Sequence, residues 1–329
     1  MSASVTETDC SACYGWEIEN GRLVCGEGHE FPIRNGVARL CLKAELTPAS
    51  SSTASGSEDH QDGLAIGASF SREWSHFKYD NRTWAMEVEQ RCSLFLKELA
   101  CDAEDLWGKV VLDAGCGNGS LSRAINRFGC EVVAADMSSS VERAYRHFAD
   151  EGNDRTHFVQ ADLTRHPFRP EAFDVIYSSG VLHHNPNTRA ALTSVVWALK
   201  PGGYIYIWVY HKVPGLRHVA KQLLRACLAP LPGAMKHALV CLWLPQAMVR
   251  QYARTFLGRN TPEDRLSWRE RLVLLLDHYT PRYRWEHTQD EVKGWYRELG
   301  LTDIVTTEVR DWGFGVVGRK PIEPVATGG

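Results

Sequence analysis

The residues able to do chemistry begin where an apolar run, Val110-Val-Leu-Asp113-Ala, opens into Gly115-Cys116-Gly117-Asn118-Gly119. A β-branched run closed by three glycines at alternate positions reads as a buried parallel strand and a tight strand-to-helix turn, where a ligand can approach the backbone. The dinucleotide fingerprint needs its third glycine three residues after the second, and Ser120 stands there instead. Asp113 argues the same way: a carboxylate repels a pyrophosphate but suits a ligand that presents an ammonium group. Acids also close the next two apolar runs, Asp136 at the end of residues 131–136 and Asp162 at the end of residues 156–162. The first is placed to accept both ribose hydroxyls of a nucleoside, as in doubly wound nucleotide folds. The second is placed to accept from an adenine amino group.

The elements that must position these residues follow in order. Residues 173–180 form a fourth apolar run and lead into Val181-Leu-His183-His184-Asn-Pro; a helix follows from about Thr188, then Leu-Lys-Pro-Gly-Gly and a fifth run ending at Tyr210 and His211. Together these segments resemble the class I S-adenosylmethionine (SAM)-dependent methyltransferases, densely over residues 105–210 and weakly from there to the end. The resemblance implies an α/β fold, a doubly wound, seven-stranded, Rossmann-like sheet, mostly parallel with a reversed last strand. It implies a cofactor site built from Asp113, Gly115, Cys116, Gly117, Asp136, Met137, Asp162, Leu163 and Ser179. Ligands of open α/β sheets sit at the carboxyl ends of the strands. There the chain offers His183 and His184 after the fourth strand and His211 after the fifth, and histidine is the natural base near neutral pH. His184 or His183 ranks before His211 as general base, although a His-His pair also serves simply to shape a pocket.

A second constellation lies near the start. Cys10-x2-Cys13 is followed, after eleven intervening residues, by Cys25-x3-His29, with two short alternating runs between the pairs joined at Asn20-Gly21. Asn-Gly is the preferred centre of a type I′ hairpin turn, which brings the pairs face to face. Three thiolates and an imidazole make a closed tetrahedral zinc site, structural rather than catalytic. A segment of about 40 residues buries too little apolar surface alone, and a metal supplies the missing stability. A further Asn35-Gly36 predicts another hairpin, completing a zinc ribbon that resembles the N-terminal ribbon of bacterial 23S rRNA guanine methyltransferases.

After Lys43 the chain turns polar and small, Thr-Pro-Ala-Ser-Ser-Ser-Thr-Ala-Ser-Gly-Ser-Glu-Asp-His-Gln-Asp over residues 47–62, the composition of a flexible linker. The expected division is a zinc ribbon over 1–43, a linker over 44–68 and the methyltransferase domain over 69–323, with a helical cap insert over 211–287. Aromatic density rises from Phe70 through Trp74, Phe77, Tyr79 and Trp84; Phe70 or Trp74 reads either as a cover over SAM or as packing for the helix that follows. Capping boxes at Ser139-x-x-Glu142 and Thr288-x-x-Glu291 open two helices. Residues 301–309 and 313–319 read as the last two strands.

Charge is distributed unevenly. Between residues 175 and 262 there is no Asp or Glu against ten Lys and Arg, whereas the whole chain holds 37 basic and 40 acidic residues. Within that span Leu216, Val219, Ala220, Leu223, Leu224 and Cys227 form a helical stripe opposite Arg217, His218, Lys221 and Arg225. The stripe reads as a cap with a solvated polar face, a lid over a large apolar substrate, a membrane-surface contact, or a nucleic-acid contact. Its apolar content favours the lid over the nucleic-acid face. Basic, aromatic Pro-Arg-Tyr-Arg-Trp over residues 281–285 either joins the same pocket or simply connects.

With 44% hydrophobic and 23% charged residues the composition is that of a soluble globular protein. No apolar run approaches the ~20 residues of a membrane span. The first residues lack the basic start and apolar core of a secretory signal, so a reducing cytosol is expected and the ten cysteines read as metal ligands or buried thiols. The leading expectation is a cytoplasmic SAM-dependent methyltransferase acting on an O, N or C nucleophile of a small or lipid-like molecule. An rRNA or tRNA base methyltransferase is the alternative, weakened by a ribbon that is not basic. A non-catalytic SAM-binding regulator is the third.

Overall fold

The computed structural model describes residues 16–19, 22–25, 30–40, 58–77, 82–83, 86–149, 155–165, 167–212, 215–259, 266–310 and 312–322. The central strands are β7 (Val110–Ala114), β8 (Glu131–Asp136), β9 (Thr156–Ala161), β10 (Phe173–Ser179) and β11 (Leu199–His211). They pair in parallel in the order β9-β8-β7-β10-β11. Val111, Leu112, Ile176, Ile205 and Ile207 are fully buried, as befits strands covered on both faces. The final hairpin, β13 (Thr302–Arg310) and β14 (Gly313–Arg319), closes the far edge with β14 antiparallel to β11. The mostly parallel, Rossmann-like sheet is therefore present, with β14 antiparallel to both of its neighbours.

The sheet does not stop at seven strands. The N-terminal strands β1 (Trp16–Glu19), β2 (Arg22–Cys25), β3 (Glu30–Arg34) and β4 (Val37–Leu40) continue it to twelve in all, counting the short β12 (Glu286–His287) beside β11. β3 and β4 form the expected hairpin, with Asn35 at φ 52° and Gly36 at φ 78°, the left-handed pair of a type I′ turn. β4 then runs parallel to β9, Ala38 opposite Val159, and Val37 is fully buried. The hairpin caps what would be an open sheet edge. Cys10, Cys13 and His29 lie outside the described residues, as does the Cys25 side chain; among the described residues no cluster of metal-ligating side chains is found.

Two expectations are corrected here. The linker reading of 44–68 fails over its second half, because helix α1 (Glu58–Trp74) begins inside it; residues 41–57 lie outside the described residues. Its small polar residues do not bury much, yet Ile66, Ser69 and Glu73 do, and Gly63 and Gly67 let the helix approach Met137 closely. The capping box at Ser139 also does not form. Helix α4 (Ser140–Phe148) starts where expected, but the Ser139 side chain makes no cap bond, and Glu142 turns to Arg39 and Asn35 on the β3–β4 hairpin. An ion pair with a buried arginine outcompetes a local backbone bond.

The remaining helices follow the sequence. α2 (Val88–Leu99) and α3 (Ser120–Ile125) cover one face of the sheet, while α5 (Thr188–Trp197) and α10 (Gln289–Glu298) cover the other, with Val292 and Tyr296 buried. The Thr288–Glu291 capping box is formed. Between β11 and β12 stands the helical insert: α6 (Leu216–Leu228), α7 (Gly233–Cys241), α8 (Leu244–Phe256) and α9 (Trp268–Tyr279). Its own small core is Val240, Leu272 and Leu276.

Candidate functional site

The turn after β7 is held open by its glycines. Gly115 has φ +95° and a side-chain carbon there would stand 2.1 Å from Val181; Gly117 has φ +55° and would meet the Trp74 ring at 2.3 Å. The Gly115 and Cys116 N–H groups both donate to the Ala135 carbonyl, tying the turn to β8. At the end of β8, Asp136 accepts from Gly117 N–H at 2.9 Å and from Ser138 N–H at 2.8 Å. Each carboxylate oxygen keeps a lone pair after those bonds, so the group retains capacity for ribose hydroxyls. Burial raises the Asp136 carboxyl above its ordinary range, and the Ser138 and Gly117 bonds oppose the rise.

Asp113 is buried and accepts the Ser122 hydroxyl at 2.6 Å; burial pushes its carboxyl up to about 6. Asp162 accepts from the N–H and hydroxyl of Thr164 and pairs with Arg165 at 3.3 Å, so an adenine amino group would share it with those partners. Buried Leu163 follows it, Cys116 is buried with its thiol pushed well up, and half-buried Ser179 closes β10. Met137 lies against Gly63 and Gly67 of α1. These residues line one edge of the sheet, and they suit a nucleoside with a cationic amino-acid end.

Helix α1 lies over this edge. Arg143 donates to the carbonyls of Trp74 and Phe77 at its end, and Ser139 N–H donates to the Ser71 hydroxyl. Trp74 therefore seats on Gly117, while Phe70 meets the His184 ring edge-on at 5.1 Å. Glu73, only 3% exposed, sits on the helix between Phe70 and Trp74, and its Oε2 has no hydrogen-bond partner among the described residues. Burial raises its carboxyl well above the usual range, reinforced by the charges of Asp277 and Asp136.

The histidine pair stands next to this edge. His183 and His184 form a short turn after β10, ring centroids 4.3 Å apart, and both are buried. His184 Nδ1 is 2.9 Å from the Tyr283 carbonyl and Nε2 is 3.2 Å from Asp277 Oδ1. The Tyr210 hydroxyl donates to the other Asp277 oxygen. Burial alone would raise the Asp277 carboxyl, but the His184 bond, the charges of His184 and His278, and the Tyr210 bond hold it well below its ordinary range.

His183 is the opposite case. Neither ring nitrogen has a partner among the described residues, and its ring packs 4.6 Å from that of Tyr210. Burial, and next the charge of His184, push it well below its ordinary value, so it is neutral. His211 is not part of the cluster: alternation along β11 sends Tyr210 to one face and His211 to the other, where it packs on Phe314. Sequence reasoning missed Asp277, His278 and Glu73. Burial and the charges of Arg284 and Lys221 push His278 down to about 3. The basic aromatic segment reaches the histidine cluster, since Arg284 stacks its guanidinium 3.4 Å over the Tyr210 ring. No local pattern marks Asp277, which meets His184 only through the insert.

The insert runs against both the lid reading and the cap with a solvated polar face. On α6, His218 and Lys221 turn inward to pair with Glu286, and Arg225 donates to the carbonyls of His278 and Pro281. The apolar stripe consequently faces outward, with Leu223 63% exposed.

Residues 112–207 match the family model of a methyltransferase domain. A ubiquinone biosynthesis O-methyltransferase of Aliivibrio fischeri (strain MJ11) is 32% identical over 132 residues, 38% of this chain and 56% of that protein. The protein of the same name from Proteus mirabilis (strain HI4320) is 35% identical over 106 residues, 32% of this chain and 43% of its own. The chain thus spans about half the length of the curated relatives it matches. Among solved structures, a 1,6-didemethyltoxoflavin-N1-methyltransferase of Burkholderia thailandensis with bound 1,6-didemethyltoxoflavin and S-adenosylhomocysteine aligns with 93% of this chain and 98% of its own, at 13% identity and a TM-score of 0.49.

Proposed function

We propose that this chain, whose residues 112–207 form an S-adenosylmethionine-dependent methyltransferase domain, transfers a methyl group from SAM to a nucleophile of a small or lipid-like acceptor. One observation carries the reading: the glycine turn with Asp136 and the histidine cluster converge at the same edge of the sheet, under one helix. Bound SAM supplies an electrophilic methyl on a sulfonium, open to in-line displacement. The work left to the protein is positioning, exclusion of water and, for a hydroxyl acceptor, removal of a proton. Asp136 would hold the ribose and Asp113 the amino-acid end, with Gly115, Cys116, Gly117, Met137, Asp162, Leu163 and Ser179 completing the cradle.

His183 is the better base. It is neutral and neither ring nitrogen has a partner among the described residues, whereas His184 has its Nδ1 engaged by the Tyr283 carbonyl and its Nε2 3.2 Å from Asp277, contacts that fix the turn. The O-methyltransferase relatives support a hydroxyl as acceptor, and Phe70, Trp208 and Tyr210 around the histidines support an apolar or aromatic body. The N-terminal Cys10, Cys13, Cys25 and His29 are read as a structural zinc site. Trp16 pairs with Cys25 across the β1–β2 hairpin, so the chain leading to Cys13 and the chain leading to His29 leave from the same end.

The test is a radiolabelled-methyl transfer assay with full-length protein over lysate fractions split into RNA, lipid and polar metabolites. Label in the lipid or polar fraction, lost in His183→Gln, is expected. Label confined to RNA refutes the acceptor class, and no label in any fraction alongside undetectable SAM binding refutes the activity.

A further inference from the structure

Two helices of the insert carry apolar stripes that nothing among the described residues covers. On α6 the stripe is Leu216, Val219 and Leu223, and on α8 it is Val249, Tyr252 and Phe256; both follow i, i+3, i+7 spacing, and Leu216 and Phe256 are 89% and 91% exposed. A helix that merely packs on its domain buries such a stripe. Here the inward side of α6 is occupied by its own cations on Glu286 and on carbonyls, so the apolar side is left facing out. Monomeric soluble proteins rarely leave faces of this kind uncovered without a partner.

Charge identifies the partner. The whole span 175–262 lacks a carboxylate, and exposed Arg250 and Arg259 flank the α8 stripe. A second copy docking through α8 would bring Arg250 and Arg259 against like charge, with no acid in the span to pair them. An anionic bilayer surface complements both features at once: apolar side chains enter the acyl boundary while arginines stay at the phosphates. No helix among the described residues is long and apolar enough to cross a membrane, so the contact lies along the surface.

We propose that α6 and α8 dock this protein on an anionic lipid bilayer. The docking face is separate from the methyl-transfer site, and the proposal stands whether or not the acceptor is a lipid.

The experiment is co-sedimentation of the full-length protein with vesicles of phosphatidylcholine containing phosphatidylglycerol, against vesicles of phosphatidylcholine alone. Wild type is expected to bind the anionic vesicles, and binding should weaken as salt is added. Phe256→Asp and Leu223→Asp should each cut the vesicle affinity about tenfold or more, since each removes one large inserted side chain. Reversing Arg250 and Arg259 to Glu should weaken binding to anionic vesicles only. All four positions are exposed, so melting temperature and SAM affinity should be unchanged, which separates docking from a folding defect. Wild type that stays in the supernatant, or aspartate variants that bind as well as wild type, overturns the proposal. So does a solution dimer that Leu223→Asp converts to monomer, which would assign the face to a second copy.

Discussion

Asp277 is the group on which the histidine cluster depends, and its replacement discriminates sharply between two substitutions. In Asp277→Ala the Tyr210 hydroxyl loses its acceptor and His184 loses the carboxylate 3.2 Å from Nε2, in a pocket that also buries Arg284. Removing one partner from a buried charged group costs about 3–5 kcal/mol. In a chain of this length one kcal/mol moves the melting temperature by about 2 °C, so the variant should melt roughly 6–10 °C lower. Asp277→Asn keeps the shape and an acceptor for Tyr210. The charge is lost but no buried partner is left empty, and the loss should be about 1–2 kcal/mol.

The pH dependence follows from the direction of the Asp277 shift. A carboxyl held below its ordinary range in the fold contributes stability that is complete above its unfolded value of about 3.9 and is lost as pH falls through the folded one. The deficit of the alanine variant should therefore be equal at about pH 7 and about pH 5 and shrink only in stronger acid. Scanning calorimetry across that range is the assay. An alanine variant that melts with wild type, or a deficit already gone at about pH 5, refutes the assignment of Asp277 as an ionised hub.

Three further outcomes are expected. Asp136→Ala should weaken SAM binding by about 1.5–3 kcal/mol, the worth of a charged hydrogen bond, and calorimetry giving unchanged affinity in a folded variant would remove it from the ribose site. Glu73 is raised by burial and then by Asp277 and Asp136, so the folded state keeps its proton above the unfolded value of about 4.3 and stability falls as pH rises through that window. Glu73→Gln should then melt higher than wild type at neutral pH and level with it below about pH 4, and equal melting at both would contradict the reading. Cys10→Ser or Cys25→Ser should abolish stoichiometric zinc while sparing SAM affinity; elemental analysis of chelator-free wild type that finds no zinc would end the proposal.

Much of this molecule was legible because its signals are local. The β-branched runs predict the parallel strands, the glycines after Asp113 predict a turn that only positive φ satisfies, and Asn35-Gly36 predicts the hairpin that joins β3 to β4. Thr288 and Glu291 predict a capping box that forms. Each is a property of a few consecutive residues, and backbone sterics and orphan N–H groups act at that range. Asp136 at the end of β8 and the His183–His184 turn were found in the same way.

What the sequence left undetermined is which surfaces meet. Ser139 and Glu142 have capping-box spacing, yet Glu142 goes to Arg39, a residue 103 positions away. The sequence ranks His184 or His183 before His211 but gives no contact that separates them; the pleat of β11 turns His211 to the opposite face and the insert brings Asp277 and Arg284 over the other two. The composition of residues 47–62 reads as a linker, but Gly63 and Gly67 allow α1 to lie against Met137. The α6 stripe is the clearest instance. Periodicity establishes that a helix has two faces, but not which one points inward; that depends on what lies beneath. Beneath α6 lie the Glu286 carboxylate and the carbonyls of His278 and Pro281, and polar groups removed from water must be paired, so the cations went in and the leucines stayed out.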